Sequence, residues 1–416
     1  MTAYHRNPAI LTRRSTLGLL LAGLTASSAE PVMRHMPAVI EAVKVESKKV
    51  ARLAAPLFDW PSLTALAQKM VSSKLTPGLS LSVMHAGGLL YSQGFGLANI
   101  EAATTVTPQT GFRIASITKQ FTAAAILLLA EDGKLSLDDT LARFIPEFPR
   151  ATDITLRQML SHTSGLGDYI NGQSLDILVE AQQGTYTSDE LIHIISAKKP
   201  LFRAAPGRTW LYSNSAFALL GIVVERLSGL AFADFCQRHL FVPAGLEQTA
   251  IDTAYPLAGN SNGYRPDYKA PHSFDTNTPV SPSFIGGAGA IRSTTEDLCL
   301  WHCALLSGKI LKPASLHAML TPTLLKDGAP AYERRGNEPM EYGLGMGLGT
   351  MENRRIAAHG GRVNGFTGHL RSFTSEKLTV AILYNSDGGG APGFQAIQKA
   401  LRTEASRLAL DSIGLS

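Results

Sequence analysis

Residues 111–133 read Gly111-Phe-Arg-Ile-Ala-Ser116-Ile-Thr-Lys119-Gln-Phe-Thr-Ala-Ala-Ala-Ile-Leu-Leu-Leu-Ala-Glu-Asp-Gly133. From Phe121 to Leu129 there is no Gly or Pro, and strong helix formers dominate. Gly133 follows the last apolar residues, where helices commonly stop. A helix that begins near Ser116 puts positions i and i+3 on one face, so the Lys119 ammonium reaches the Ser116 hydroxyl. The unpaired N–H groups of a helix start give a positive local field suited to an alkoxide or a tetrahedral oxyanion. A weak nucleophile, a neighbouring base and donors for developing charge are the parts of an acyl-transfer site. Ser-x-x-Lys alone also describes an N-cap serine beside a solvated lysine, so the surrounding chain has to decide.

Upstream, Pro61-Ser62 opens a helix through Val71. Leu79–Met84 alternates as a strand, His85–Gly88 turns, and Leu89–Phe95 returns, which is a β-hairpin. Downstream the periodicity becomes helical: Leu135 to about Pro146, Thr155–Leu160, Ser188–Ala197, Ser215–Leu227 and Phe232–Leu240. Gly259–Pro282 is rich in Asn, Pro, Tyr and Ser and reads as a long surface loop. Ser293-x-x-Glu296 is a capping-box pattern that opens another helix. Strands then return at Gly343–Gly349, Arg355–Ala358, Phe366–Phe373 and Leu378–Tyr384, and a helix from Phe394 to about Leu408 closes the chain. The alternating glycines at 343, 345, 347 and 349 mark a strand that another backbone approaches closely. Strands, helices, then strands predict an α+β fold: an antiparallel sheet built from both chain ends, flanked by helices, with an inserted mainly helical lobe. The expected boundaries are 56–135 with 290–416 for the α/β lobe and 136–289 for the helical lobe.

The first 55 residues read differently. Arg13-Arg14 precedes an apolar run from Leu17 to Ala26, and Ser27-Ser28-Ala29 offers small residues for cleavage. Residues 1–29 therefore read as a secretory signal peptide of twin-arginine type, followed by a lead-in segment at 30–55. The expected location is the bacterial periplasm or outside the cell, with no stable membrane span after signal cleavage. The formal charge is +5, and the leader holds Arg6, Arg13 and Arg14 and no acid, so removing it leaves +5 − 3 = +2. Such a balance gives no footprint for nucleic acid. Three cysteines form no disulfide framework. Cys299, His302 and Cys303 fall at helical spacing in an otherwise apolar run and read as a buried core helix, so no metal site and no cofactor are expected.

Two further clusters complete a constellation. Tyr212-Ser213-Asn214 follows Pro206-Gly207 and precedes a helix, and His359-Gly360-Gly361 ends a predicted strand. A phenol beside a lysine yields its proton more readily. An Asn offers both donor and acceptor to a substrate amide, and two glycines admit a substrate backbone. With these residues the chain resembles the serine β-lactamase and penicillin-binding protein family, in its class C and D-alanyl-D-alanine carboxypeptidase branch. Gly133–Asp139, Ile154–Leu166, Pro206–Gly221 and Gly286-Gly-Ala-Gly289 also read like family blocks, and the likeness covers about residues 60–405.

The resemblance implies a β-lactamase/transpeptidase-like fold and a set of roles. Ser116 would be the acylated nucleophile, and Lys119 and Tyr212 would share the proton work. Asn214 would hold the substrate amide, beside His359, Gly360 and Gly361. The backbone N–H groups of Ser116 and Arg362 would form the oxyanion hole. His359 stands where the β-lactamases usually carry Lys, and a histidine supplies charge only near or below pH ~6.5. The expected activity is an exported serine hydrolase acting through an acyl-enzyme on an ester or a D-amino-acid amide. A class C-like β-lactamase and a non-catalytic penicillin-binding-like protein are the alternatives. The expected partner is a small-molecule or peptide substrate (ester, D-amino-acid peptide or β-lactam). Ser164 and Asn385 read as turn residues, and Asp138 and Asp139 as a helix start.

Overall fold

The hairpin predicted at 79–95 forms β1 (Gly78–His85) and β2 (Gly88–Asn99). They belong to a computed structural model that describes residues 58–415 apart from 172–183, 253–258, 268–269, 271–272, 334–338 and 390. The expected leader and lead-in segment lie outside the described residues. β1 is buried on both faces although its sequence alternates. Its serines do not face water: Ser80 and Ser82 share hydrogen bonds with the Thr295 hydroxyl at 2.9 and 2.7 Å.

Among the described residues the sheet has nine strands. With β1 and β2 they are β3 (Thr104–Thr105), β4 (Tyr332–Glu333), β5 (Met340–Tyr342), β6 (Gly347–Met351), β7 (Arg354–Val363), β8 (Phe366–Phe373) and β9 (Leu378–Tyr384). Their order is β3-β2-β1-β9-β8-β7-β6-β5-β4, antiparallel at every pairing. The first-made strands thus pair with the last: Leu79 lies opposite Tyr384 and His85 opposite Leu378.

Helices cover both faces. On one face α1 (Pro61–Ser72) and the C-terminal helix Phe394–Ser412 pack on Leu79, Leu81, Val83, Val380 and Ile382. The other face meets the larger core, built around α2 (Thr118–Glu131), α3 (Leu156–Leu160), α4 (Ser188–Ser196), α5 (Asn214–Ser228) and α6 (Thr295–Leu306). α2 is apolar nearly all round, as a helix enclosed by others must be. Its Phe121 ring stacks on Trp301 of α6 with centroids 4.0 Å apart. Pro56–Ser416 is one compact unit, and the larger core draws on both the 136–289 segment and the flanking ones.

Four local expectations change. No α-helix forms at 135–146; there is a turn and a single 3-10 turn at Leu141–Arg143. Ser136 and Asp139 bind local backbone there, since the Asp139 carboxylate accepts from the Ser136 N–H at 2.7 Å and so competes with helix formation. The cap of α6 is Thr294, which accepts from the Asp297 N–H at 3.1 Å, while Ser293 stays paired with Phe112 in a small three-stranded sheet. The glycine-rich segment 343–349 is broken by a turn at 343–346, with Gly345 at φ +71°. A Cβ at Gly343 would lie 2.2 Å from the Met319 carbonyl oxygen and one at Gly345 2.8 Å from that of Lys119. The close backbone approach is therefore real, but it occurs in the turn. The long loop at 259–282 holds a short ribbon, Tyr264–Pro266 paired with Phe274–Thr276.

The run with Cys299 and His302 is a buried helix. His302 bonds the Ser372 hydroxyl at 2.6 Å and the Gln120 side-chain oxygen Oε1 at 2.8 Å, and burial pushes its pKa down to about 3. The folded protein keeps this ring neutral where the unfolded chain protonates it, so stability is full above about pH 6.5 and falls as the pH drops towards 3. Urea unfolding between pH 6 and 4 is expected to show this histidine as a slope of about 1.4 kcal/mol per pH unit. His302→Gln should flatten the profile by that amount. Among the described residues no single helix is long and apolar enough to cross a membrane.

Candidate active site

Ser116 does not sit in the α-helix proper but in a 3-10 turn, Ala115–Ile117, that feeds α2. The preceding Ala115 has φ +48°, a left-handed conformation that a residue with a Cβ adopts at a cost of about 1–3 kcal/mol. The surroundings enforce it. Ile114 N–H bonds the Ile291 carbonyl at 3.0 Å, Ile291 N–H bonds the Thr118 hydroxyl at 3.2 Å, and glycines 289 and 361 press on either side. The kink turns Ser116 out of the core and into a cleft of about 790 Å³, lined also by Tyr212, Asn214, His359, Gly361 and Arg362. All eight expected site residues line this cleft except Lys119, which lies behind Ser116 with no exposed surface.

Lys119 reaches Ser116 as the i, i+3 spacing predicts: Nζ is 3.1 Å from Oγ. It also donates to Asn214 Oδ1 and to the Ala288 carbonyl, both at 2.8 Å. Its ammonium lies 4.7 Å from the centre of the Tyr212 ring, where a cation gains from the π face. The Tyr212 hydroxyl donates to Ser116 Oγ at 2.6 Å. Ser116 Oγ therefore touches Lys119 and Tyr212 at once. They come from α2 and from the loop before α5, a helix capped by Ser213.

β7 runs unbroken through His359-Gly360-Gly361-Arg362, further than its apolar stretch suggested. This places Gly361 against the turn that carries Ser116: a Cβ there would lie 2.1 Å from the Ile114 carbonyl oxygen and 3.3 Å from the Ser116 nitrogen. The strand edge and the Ser116 amide are thus held together on one side of the cleft. The His359 ring is tied into the wall. Its Nδ1–H donates to the Gly360 carbonyl at 2.6 Å, and Nε2 shares a hydrogen bond with the Tyr342 hydroxyl at 3.0 Å. The Arg362 side chain is exposed at the cleft mouth. Arg265, Asp387, His369 and Arg402 line the same cleft. Burial, followed by the nearby Arg402 and Arg371, holds His369 neutral, well below its ordinary pKa.

Sequence reasoning missed three contributors. Asp168, 6% exposed, accepts from the Asn214 side-chain amide at 2.9 Å and so orients it. The buried His162 ring packs on Tyr212 with centroids 4.3 Å apart, and its Nδ1 accepts from the Ser213 N–H at 3.2 Å. The Ala288 carbonyl holds Lys119. Asp168 follows Ser161-His-Thr-Ser-Gly165 by three residues, and an acid in an apolar stretch was its only sequence signal. Ser164 plays the turn role expected, accepting from the Leu166 N–H at 3.3 Å. Asn385 ties β9 to the hairpin, accepting from Gly78 N–H at 2.7 Å and donating to the Leu97 carbonyl at 2.9 Å.

The sequence profile of the family described as Beta-lactamase matches residues 63–404. A penicillin-binding protein of Bacillus subtilis (strain 168) is 29% identical over 317 residues, which is 72% of this chain and 66% of that protein. A D-aminopeptidase of Brucella ovis is 25% identical over 339 residues, 81% of this chain and 61% of that protein. The chain thus spans less than two thirds of the length of these two relatives. Among solved structures, the D-amino acid amidase of Ochrobactrum anthropi SV3, complexed with L-phenylalanine amide, superposes with a TM-score of 0.71 at 23% identity. That match covers 84% of this chain and 99% of the amidase, and it supports the fold.

Proposed function

The chain belongs to the beta-lactamase family, a family of serine hydrolases, and from that premise we propose that it hydrolyses D-amino-acid amides or short D-peptides, or the corresponding esters, through an acyl-enzyme on Ser116. One observation carries this: Ser116 Oγ is hydrogen-bonded at once by Tyr212 and Lys119, at 2.6 and 3.1 Å. A binding protein has no use for a nucleophile with two proton-transfer groups and a strained turn aiming it into a cleft.

In the acylation step, Ser116 gives its proton to the Lys119–Tyr212 pair and attacks the substrate carbonyl. The carbonyl oxygen becomes an oxyanion held by the N–H groups of Ser116 and Arg362, each such donor being worth ~3–4 kcal/mol in the transition state. The pair then returns the proton to the leaving amine or alcohol. Water, deprotonated by the same pair, attacks the acyl ester, and the pair hands that proton to Ser116 Oγ as the ester C–O bond breaks and the acid leaves. The family's penicillin-binding members and the D-aminopeptidase relative support a D-amino-acid substrate. His359 favours the amide and ester readings over efficient β-lactam turnover, because its ring is tied to Gly360 and Tyr342 where a β-lactamase carries a fixed lysine charge. The basic, apolar leader supports export to the periplasm or beyond.

The test is hydrolysis of D-alanine amide and D-phenylalanine amide and their p-nitrophenyl esters, with intact mass after brief exposure to a penicillin. Turnover that Ser116→Ala abolishes, with a lasting penicillin adduct mapped to Ser116, is the expected result. Rapid penicillin loss without an adduct would make the protein a working β-lactamase. Absence of both turnover and adduct would sink the hydrolase reading.

A further inference from the structure

Resting on the serine-hydrolase reading above, we propose that Asp168 is a positioning residue that fixes which end of the Asn214 amide faces Lys119, and so aims the Lys119 lone pair at Ser116. Asp168 is nearly enclosed, and its carboxylate is surrounded by donors. Oδ1 accepts from the Ile170 and Asn171 N–H groups at 2.8 and 3.0 Å. Oδ2 accepts from the Asn171 side-chain amide at 2.7 Å, the Asn214 side-chain amide at 2.9 Å and the Asn214 N–H at 3.3 Å. An ionised carboxylate only accepts. The Asn214 NH2 must therefore face Asp168, and its Oδ1 must face Lys119 at 2.8 Å.

The consequence reaches the nucleophile. Proton transfer from Ser116 to a neutral Lys119 needs the nitrogen lone pair along the Nζ–Oγ direction. Asn214 Oδ1 and the Ala288 carbonyl are both acceptors, so two Lys119 N–H bonds point at them in either protonation state. The lone pair lies along neither direction, and the 3.1 Å path to Ser116 Oγ is open to it. Reversing the Asn214 amide destroys this arrangement. Its NH2 group would draw the Lys119 lone pair to itself and oppose the ammonium form, and Ser116 would lose its proton acceptor. Asp168 makes no contact with the reacting atoms; it acts through one amide.

Asp168→Asn tests this at constant size. The new side-chain oxygen stays with the Ile170 and Asn171 N–H groups, its NH2 faces Asn214, and the Asn214 amide reverses. The reading is the rate at which a fluorophosphonate labels Ser116, followed by intact mass from pH 5 to 9, beside a thermal melt. Labelling is expected to fall by about 100-fold, the scale of a misaligned catalytic group, with the acid limb of the profile moved to lower pH. The exchanged pair, Asp168→Asn with Asn214→Asp, again presents an oxygen to Lys119. It should recover at least about tenfold of the loss, with the acid limb moved up because a carboxylate beside the ammonium favours it. Parental labelling and an unshifted profile in Asp168→Asn would overturn the proposal and leave Asp168 as a loop brace. If the single variant does not fold, the folded exchanged pair decides: labelling well above Asn214→Asp alone supports the relay, and labelling no better overturns it. A parent whose Ser116 takes no fluorophosphonate at all refutes the hydrolase reading instead.

Discussion

Replacing Lys119 by alanine is expected to lower kcat by at least ~100-fold on any ester or amide the parent turns over, the usual scale for a lost proton-transfer group. The side chain is fully enclosed and bonds Ser116, Asn214 and the Ala288 carbonyl. Its removal takes one of the two proposed proton-transfer groups from Ser116 and leaves two buried acceptors without their donor. Each such loss costs about 1–3 kcal/mol, so a lowered melting temperature should accompany the lost activity. Tyr212→Phe separates the two effects. It removes only the hydroxyl on Ser116 and keeps the ring against His162. A similar loss in kcat is expected, with little change in melting temperature. Steady-state kinetics and thermal melts of both variants make the comparison, and a near-parental kcat would take that residue out of the mechanism.

The second large effect is expected from a single methyl group. Gly361→Ala places a Cβ 2.1 Å from the Ile114 carbonyl oxygen and 3.3 Å from the Ser116 nitrogen. Backbone atoms cannot swing aside as a side-chain tip can, so either β7 or the nucleophile turn must move. Both carry an oxyanion donor in the proposed mechanism, and losing the alignment of one donor costs 100- to 1,000-fold in comparable sites. The expected result is a fall of at least ~100-fold in kcat. At Gly360 a Cβ meets only the Gly368 carbonyl oxygen, at 3.8 Å. Gly360→Ala is therefore expected to act on KM, through the cleft wall, and to change kcat far less. Equal losses of kcat in the two variants would mean that the close contact of Gly361 with the Ser116 turn is not what sets the rate.

Strong periodicity made much of this legible beforehand. α1, α2, α5 and the strands at 78–99 and 366–384 stand where apolar spacing predicted them, and the order of elements gave the antiparallel sheet from both chain ends. What failed were places where one polar side chain outbids periodicity. Ser136 and Asp139 close a turn in a stretch that scans as a helix, and Thr294 takes the cap from Ser293 because Ser293 is held in a strand pair. In the site, the motif residues were readable because their chemistry is in their identity and spacing: Ser116 meets Lys119 across one helical turn. Asp168, His162 and the Ala288 carbonyl were not readable. They lie on loops or, for Ala288, a single 3-10 turn, without periodicity, and act by contacts across 46, 50 and 169 residues, on Asn214, Tyr212 and Lys119 respectively.

The place of β9 between β1 and β8 has a further consequence, for the time at which the protein is made. β1 pairs with a strand whose residues come 384 − 79 = 305 positions later at Leu79. Until the ribosome has passed Tyr384, β1 holds its hairpin partner on one side and a bare backbone edge on the other, along a strand of Leu79, Leu81, Val83 and Met84. Pairings this distant in sequence close slowly, and an open apolar edge is a template for other chains. A chain that stops before Leu378 still encodes Ser116, Lys119, Tyr212 and Asn214, yet lacks the strand that joins the two halves of the sheet. Such a fragment is expected to aggregate rather than to label with fluorophosphonate, and nascent chains depend on reaching residues 378–384 unaggregated.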